Sequence, residues 1–93
     1  MNEPATTHVA QAGTLESMDC LVSITGAGAR AIEISGSSAA RFKGAIEKKI
    51  GEVLDTLSAK PVKVTVQDNG AIDVVLGARV EAAYRRFERG PSA

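Results

Sequence analysis

The sequence predicts an α+β domain, an antiparallel four-stranded sheet with two helices on one face in the order ββαββα. Three observations predict it. Four short segments alternate apolar and polar residues, two longer stretches repeat apolar residues at helical spacing, and turn-forming residues separate them. With 93 residues the chain can bury one modest core. The expected division is a mobile N-terminal tail over 1–13, a single domain over 14–90 and a short C-terminal tail over 91–93.

The tail is expected because residues 1–13 are polar, carry Pro4 and show no apolar periodicity. The first strand covers 20–25, with Cys20, Val22 and Ile24 on one side and Leu21, Ser23 and Thr25 on the other. Gly26-Ala27-Gly28-Ala29 reads as a turn into a second strand over 31–35, with Ile32 and Ile34 inward, so the pair is expected to form a hairpin. Gly36-Ser37-Ser38 supplies breaker and N-cap chemistry before a helix running to about Ser58. Its apolar face is expected to hold Phe42, Ile46, Ile50, Val53, Leu54 and Leu57.

Lys60 precedes Pro61, a pairing that disfavours helical geometry, and the chain then enters a third strand with Val62, Val64 and Val66 on one face. Asn69-Gly70 tolerates the positive φ angles of a tight turn, so a second hairpin is expected with a fourth strand over 71–75. Leu76, Val80, Ala83, Tyr84 and Phe87 form the stripe of the closing helix, with Glu81 and Arg85 four apart on its outer surface.

Composition narrows the function classes. Lys plus Arg equals Asp plus Glu at 11 each, so no field of one sign draws the chain to nucleic acid or anionic lipid, and neither is expected as a partner. Cys20 is the only cysteine, which excludes an internal disulfide and any multi-cysteine metal site. The polar start lacks signal-peptide character and no apolar run reaches membrane-spanning length, so a soluble cytoplasmic protein without a membrane partner is expected.

Several features invite a chemical reading and accept a plainer one. His8 and Cys20 could form a nucleophilic pair only within hydrogen-bonding reach; a solvated His in the tail and a core Cys account for both. Gly26-x-Gly28 joins two strands and does not open a helix, so it is neither a dinucleotide fingerprint nor a P-loop. Arg79, Arg85, Arg86 and Arg89 crowd the final helix, where cations near a C-terminus suit the macrodipole and Glu81 and Glu88 dilute the patch. Gly44 and Gly51 project opposite the apolar stripe, each at about 1 kcal/mol relative to Ala. Close approach of another protein would compensate, and a sufficiently stable helix would tolerate both.

The remaining segment is Ala12-Gly13-Thr14-Leu15-Glu16-Ser17-Met18-Asp19. Taken alone it is a polar lead-in to a strand, in which Ser17 would cap or hydrogen-bond a turn. The stretch resembles the serine motif of the citrate lyase acyl carrier family, the gamma chain, with Ser17 on the family's modified serine. Asp68-Asn69-Gly70-Ala71-Ile72-Asp73 followed by Ala78-Arg79-Val80-Glu81-Ala82 resembles that family's C-terminal half, in the same order and at comparable separation. The resemblance runs from about Ala12 to about Arg86. Met18 departs from it, since the family usually has a small residue there.

The resemblance implies that Ser17 is joined by a phosphodiester to phosphoribosyl-dephospho-coenzyme A, whose thiol carries the acetyl or citryl thioester. It implies a non-catalytic carrier subunit in a complex that cleaves citrate to acetate and oxaloacetate. The implied partners are the citrate lyase alpha (acyl transferase) and beta (citryl lyase) subunits and a prosthetic-group transferase. No catalytic or metal-ligating residue is expected in the chain itself. Two alternatives stay open: the carrier of a related citramalate lyase or malonate decarboxylase, and a cofactor-free interaction domain.

Overall fold

A computed structural model describes residues 8–91. The elements are β1 (Ala10–Gly13), β2 (Asp19–Gly26), β3 (Ala31–Gly36), α1 (Ala39–Thr56), β4 (Val62–Asn69) and α2 (Asp73–Arg89). They form one four-stranded sheet in the spatial order β1-β2-β4-β3. The alternation of β2 and β4 turns Cys20, Val22, Ile24, Val62, Val64 and Val66 to one face, all fully buried. Both helices cover that face: Ile46, Ile50 and Leu54 come from α1, and Leu76, Val80, Ala83 and Tyr84 from α2. The Tyr84 hydroxyl accepts the Lys60 N–H at 2.8 Å, which ties α2 to the loop leading into β4.

The expected all-antiparallel sheet is corrected: the sheet is mixed. β4 runs antiparallel to β2, from Asp19↔Asn69 to Gly26↔Val62, but parallel to β3, from Ala31↔Lys63 to Gly36↔Asp68. The hairpin expected between the strands at 20–25 and 31–35, now β2 and β3, is absent because β4 lies between them. Its cause is non-local. The valine face of β4 is buried most fully between two neighbours, and α1 provides the helical crossover that lets β3 and β4 run parallel.

The expected fourth strand over 71–75 is also corrected, since α2 begins at Asp73. Asn69 ends β4, Gly70 takes φ +90°, and the Asp68 carboxylate accepts the N–H groups of Gly70 at 3.3 Å and Ala71 at 3.1 Å. This side-chain turn redirects the chain into a helix where a tight hairpin was expected. Ile72 and Val74, the apolar members of the expected alternation, remain exposed.

The outer strand stands at the other end of the sequence. Ala10–Gly13 forms β1, antiparallel to β2 with Ala10↔Ile24 and Gly13↔Leu21, where the tail was expected to extend to residue 13. Residues 1–7 of the expected N-terminal tail, and 92–93 of the C-terminal one, lie outside the described residues. Within α1, Phe42 departs from the expected apolar face: its φ/ψ are non-helical and its side chain is about half exposed.

Candidate functional site: the loop that carries Ser17

Ser17 lies in the connection between β1 and β2 and is exposed. Its hydroxyl makes no hydrogen bond to another described residue, whereas its neighbours are held closely. The Thr14 N–H donates to the Cys20 carbonyl at 3.1 Å, continuing the β1–β2 pairing one step past Gly13. Thr14 Oγ1 accepts the Glu16 N–H at 3.1 Å and donates to Asp19 Oδ2 at 2.7 Å. The Asp19 N–H returns to the Glu16 carbonyl at 3.2 Å, closing a turn with Ser17 and Met18 at its tip. Met18 takes φ +67°, a conformation that disfavours a side chain, and its N–H donates to the Asn69 carbonyl at 2.7 Å.

Two elements remote in sequence fasten this turn. Asn69, at the end of β4, donates from Nδ2 to the Leu15 carbonyl at 3.2 Å, while its Oδ1 accepts the Ser37 hydroxyl at 2.9 Å. Arg79, on α2, donates from Nε to Asp19 Oδ1 at 3.0 Å and from Nη2 to Asp19 Oδ2 at 2.8 Å. Asp19 Oδ1 also accepts the Cys20 N–H at 2.7 Å. The guanidinium, followed by the Thr14 hydroxyl and the Cys20 amide, holds the Asp19 carboxyl well below the usual carboxylate range. An aspartate so tied down is a poor proton acceptor for the Ser17 hydroxyl. Glu16 and Asp19 flank the serine, and the bonding of Asp19 is structural.

Other candidate residues separate from the loop. Cys20 is fully buried in the core, and burial, followed by the Asp19 and Asp68 carboxylates, pushes its thiol up to about 11. His8 is not simply solvated: its ring stacks on Phe87 with centroids 4.9 Å apart, and Nε2 donates to the Phe87 carbonyl at 3.0 Å. Cys20 lies across from Thr14, so six residues of extended chain, about 20 Å, separate it from His8 along the sheet. They cannot form a nucleophilic pair. Arg79 binds Asp19, Arg85 binds Glu81 at 2.8 Å, and Arg86 donates to the Gln11 carbonyl at 2.6 Å, so three of the crowded arginines are engaged within the chain. Among the described residues no cluster of three or more His, Cys, Asp or Glu could hold a metal ion. No described helix is long and apolar enough to cross a membrane.

Sequence reasoning did not find the roles of Thr14, Asn69 and Arg79. The available signal was weak: Arg79 stands three residues after Leu76 and one before Val80, at the margin of the apolar stripe, where a charged side chain can turn back over the sheet.

Known proteins supply the family. The family model described as "ACP: Malonate decarboxylase delta subunit (MdcD)" matches residues 7–87. A citrate lyase acyl carrier protein of Haemophilus influenzae (strain PittGG) is 46% identical over 80 residues, covering 86% of this chain and 84% of the relative. One from Treponema denticola is 40% identical over 74 residues, covering 80% and 85%. The chain belongs to the citrate lyase acyl carrier protein family. A Klebsiella pneumoniae member is 43% identical over 79 residues, covering 83% of this chain and 81% of its own. Membership supports an acyl carrier role and association with a lyase complex.

In three dimensions the chain resembles part of a crystal structure from Thermus thermophilus, with a TM-score of 0.52 and 14% identity over 88% of this chain. The likeness is of fold alone, and the chain spans 16% of that protein.

Proposed function

We propose that this chain is the acyl carrier subunit of a cytoplasmic citrate lyase, with phosphoribosyl-dephospho-coenzyme A joined to Ser17 by a phosphodiester. The observation that carries the proposal is the state of Ser17, an exposed hydroxyl without a hydrogen-bond partner among the described residues, on a turn whose other residues are bonded in place. Such a hydroxyl fits covalent attachment, because an incoming group displaces no internal bond and a loading enzyme can reach it. The group supplies a terminal thiol on a long arm, able to carry an acyl chain between active sites.

The chain's own contribution is mechanical. It offers the hydroxyl, holds the base of the turn and keeps its one thiol out of the chemistry. Tethering replaces encounter from solution with a high effective concentration at each partner site. The base for attachment belongs to the loading enzyme, because Asp19 is committed to Arg79. In this reading the partners are an acyl transferase subunit, a citryl lyase subunit and the prosthetic-group transferase, and the complex cleaves citrate to acetate and oxaloacetate. A second reading, the carrier of a malonate decarboxylase, is favoured by the description of the matching family model.

Co-expression with the loading enzymes, followed by intact mass and peptide mapping, tests the attachment. The expected result is a mass increase matching the prosthetic group on the Ser17 peptide, and none in a folded Ser17→Ala chain. Loading of Ser17→Ala would remove Ser17 from the role. Assay of the loaded carrier with the transferase and lyase subunits of each complex separates citrate from malonate chemistry.

A further inference from the structure

The turn around Ser17 is held by a polar ring that packing of the core does not require. Asp19 lies at its centre, with only 13% of its side chain exposed, and receives bonds from Thr14, the Cys20 amide and two nitrogens of Arg79. Thr14 Oγ1 joins this carboxylate to the Glu16 N–H, one residue before the serine. Arg79 reaches the ring because Gly13 leaves room: a Cβ there would run into the Cys20 carbonyl and stand 3.2 Å from Arg79 Cδ. Gly13 itself takes φ +100°, a conformation that side chains rarely adopt. Backbone shape at the end of β1, a helix residue and two loop side chains therefore converge on one turn.

We propose that Thr14, Asp19 and Arg79 are positioning residues, which hold the 14–18 turn in the shape that presents the Ser17 hydroxyl to the enzyme that modifies it. The inference rests on the proposed attachment at Ser17. Its physical basis is preorganisation. A five-residue turn without these bonds samples many conformers, and the loading enzyme must then meet the ordering entropy before the hydroxyl is in line. Thr14 is the most informative member because its hydroxyl serves the turn at both ends and is exposed, so removing it leaves the core untouched. Asp19 and Arg79 act through this geometry and do not touch the reacting atoms.

The experiment compares parent, Thr14→Val and Thr14→Ser chains, each incubated with the purified loading enzyme and the prosthetic-group precursor and followed by intact mass. Valine keeps the shape of threonine without the hydroxyl, and serine keeps the hydroxyl. The expected result is a loading kcat/KM at least tenfold lower for Thr14→Val and within twofold of the parent for Thr14→Ser. Amide hydrogen exchange on the unloaded chains should be faster at Glu16, Ser17 and Met18 in the valine variant and unchanged along β2 and β4. Arg79→Lys, which cannot hold both carboxylate oxygens in the same fork, should show the same split more weakly. If Thr14→Val loosens the turn and loads like the parent, presentation does not depend on the ring. If neither exchange nor loading changes, Thr14 does not hold the turn; both outcomes overturn the inference. A parent chain that is never modified at Ser17 instead overturns the attachment on which it rests.

Discussion

Arg79 grips both oxygens of Asp19 across 60 residues of sequence, Nε to Oδ1 at 3.0 Å and Nη2 to Oδ2 at 2.8 Å. The pair links α2 to the start of β2, so the turn carrying Ser17 is fixed to the helix that closes the fold. Arg79 keeps 39% of its side chain exposed, and salt therefore weakens the pair without dissolving its geometry.

The first prediction concerns acid. Asp19 ionises in the folded chain well below its ordinary value of 3.8, so the unfolded chain binds this proton more readily. The resulting stabilisation is fully present above that ordinary value and is lost as the pH falls through the folded-state pKa. Asp19→Asn removes the titrating group. The gap in Tm between parent and variant should hold steady from about pH 5 to 8 and narrow below about pH 4. A gap that stays constant down to about pH 2 would show that the charge on Asp19 is not what Arg79 stabilises.

Cys20 should be inert. With its thiol pushed up to about 11 and fully buried, it is protonated at neutral pH and sheltered from reagents. Alkylation by iodoacetamide at pH 7 should proceed only through opening of the fold. Cys20→Ala should cost about 1–2 kcal/mol by urea denaturation, from lost packing against the core, and leave loading at Ser17 intact. Rapid labelling of the native chain, or a folded variant that cannot be loaded, would contradict this.

Legibility in the sequence followed the range of the interactions. Val62, Val64 and Val66 marked β4 because strict alternation over a buried face leaves a local pattern, and Ile46, Ile50 and Leu54 marked α1 at helical spacing. β1 was missed because only Ala10 and Ala12 turn inward, and two small residues give no clear period. The parallel pairing of β3 with β4 depends on partners that alternation within each strand cannot name. At 71–75, Ile72 and Val74 alternated convincingly, yet the bonding of Asp68 to two amides started a helix and left both exposed. At the candidate site, Ser17 was singled out through resemblance to a family motif, whereas the fastening of its turn by Arg79 and Asn69 left no local signal, since both approach from other elements.

Gly36 should be among the least replaceable residues. It takes φ +112° at the end of β3, and a Cβ there would be driven into the backbone of Asp68, whose carbonyl accepts the Ser37 N–H at 3.0 Å. Both the conformation and the contact oppose any side chain. Gly36→Ala should destabilise by about 2–4 kcal/mol in urea denaturation. A loss below about 0.5 kcal/mol would mean that the β3 terminus shifts freely and does not fix the register with β4.

Gly44 should behave in the opposite way. It lies inside α1, exposed, with nothing within 4 Å of the position a Cβ would take. Adding a methyl group there meets no obstacle, and alanine reduces the backbone freedom that the unfolded chain loses on folding. Gly44→Ala should stabilise by about 0.5–1 kcal/mol, which for a domain of this size raises Tm by roughly 3–6 °C. Gly51 faces a more crowded position, with Arg30 Nη1 4.0 Å from its would-be Cβ, but that is ordinary contact and Arg30 is held there by Asp55 at 2.9 Å. Gly51→Ala should therefore stabilise too. The two sites are about 10 Å apart along the helix, so their effects should add within about 0.5 kcal/mol. Differential scanning calorimetry of both single variants and the double variant measures the increments directly. Assembly with the proposed acyl transferase and citryl lyase subunits then separates the two accounts of why glycine stands at these positions. A stabilised double alanine variant that assembles normally marks a helix that tolerates both glycines, whereas one that is stabilised but fails to assemble marks a face on which another protein packs closely.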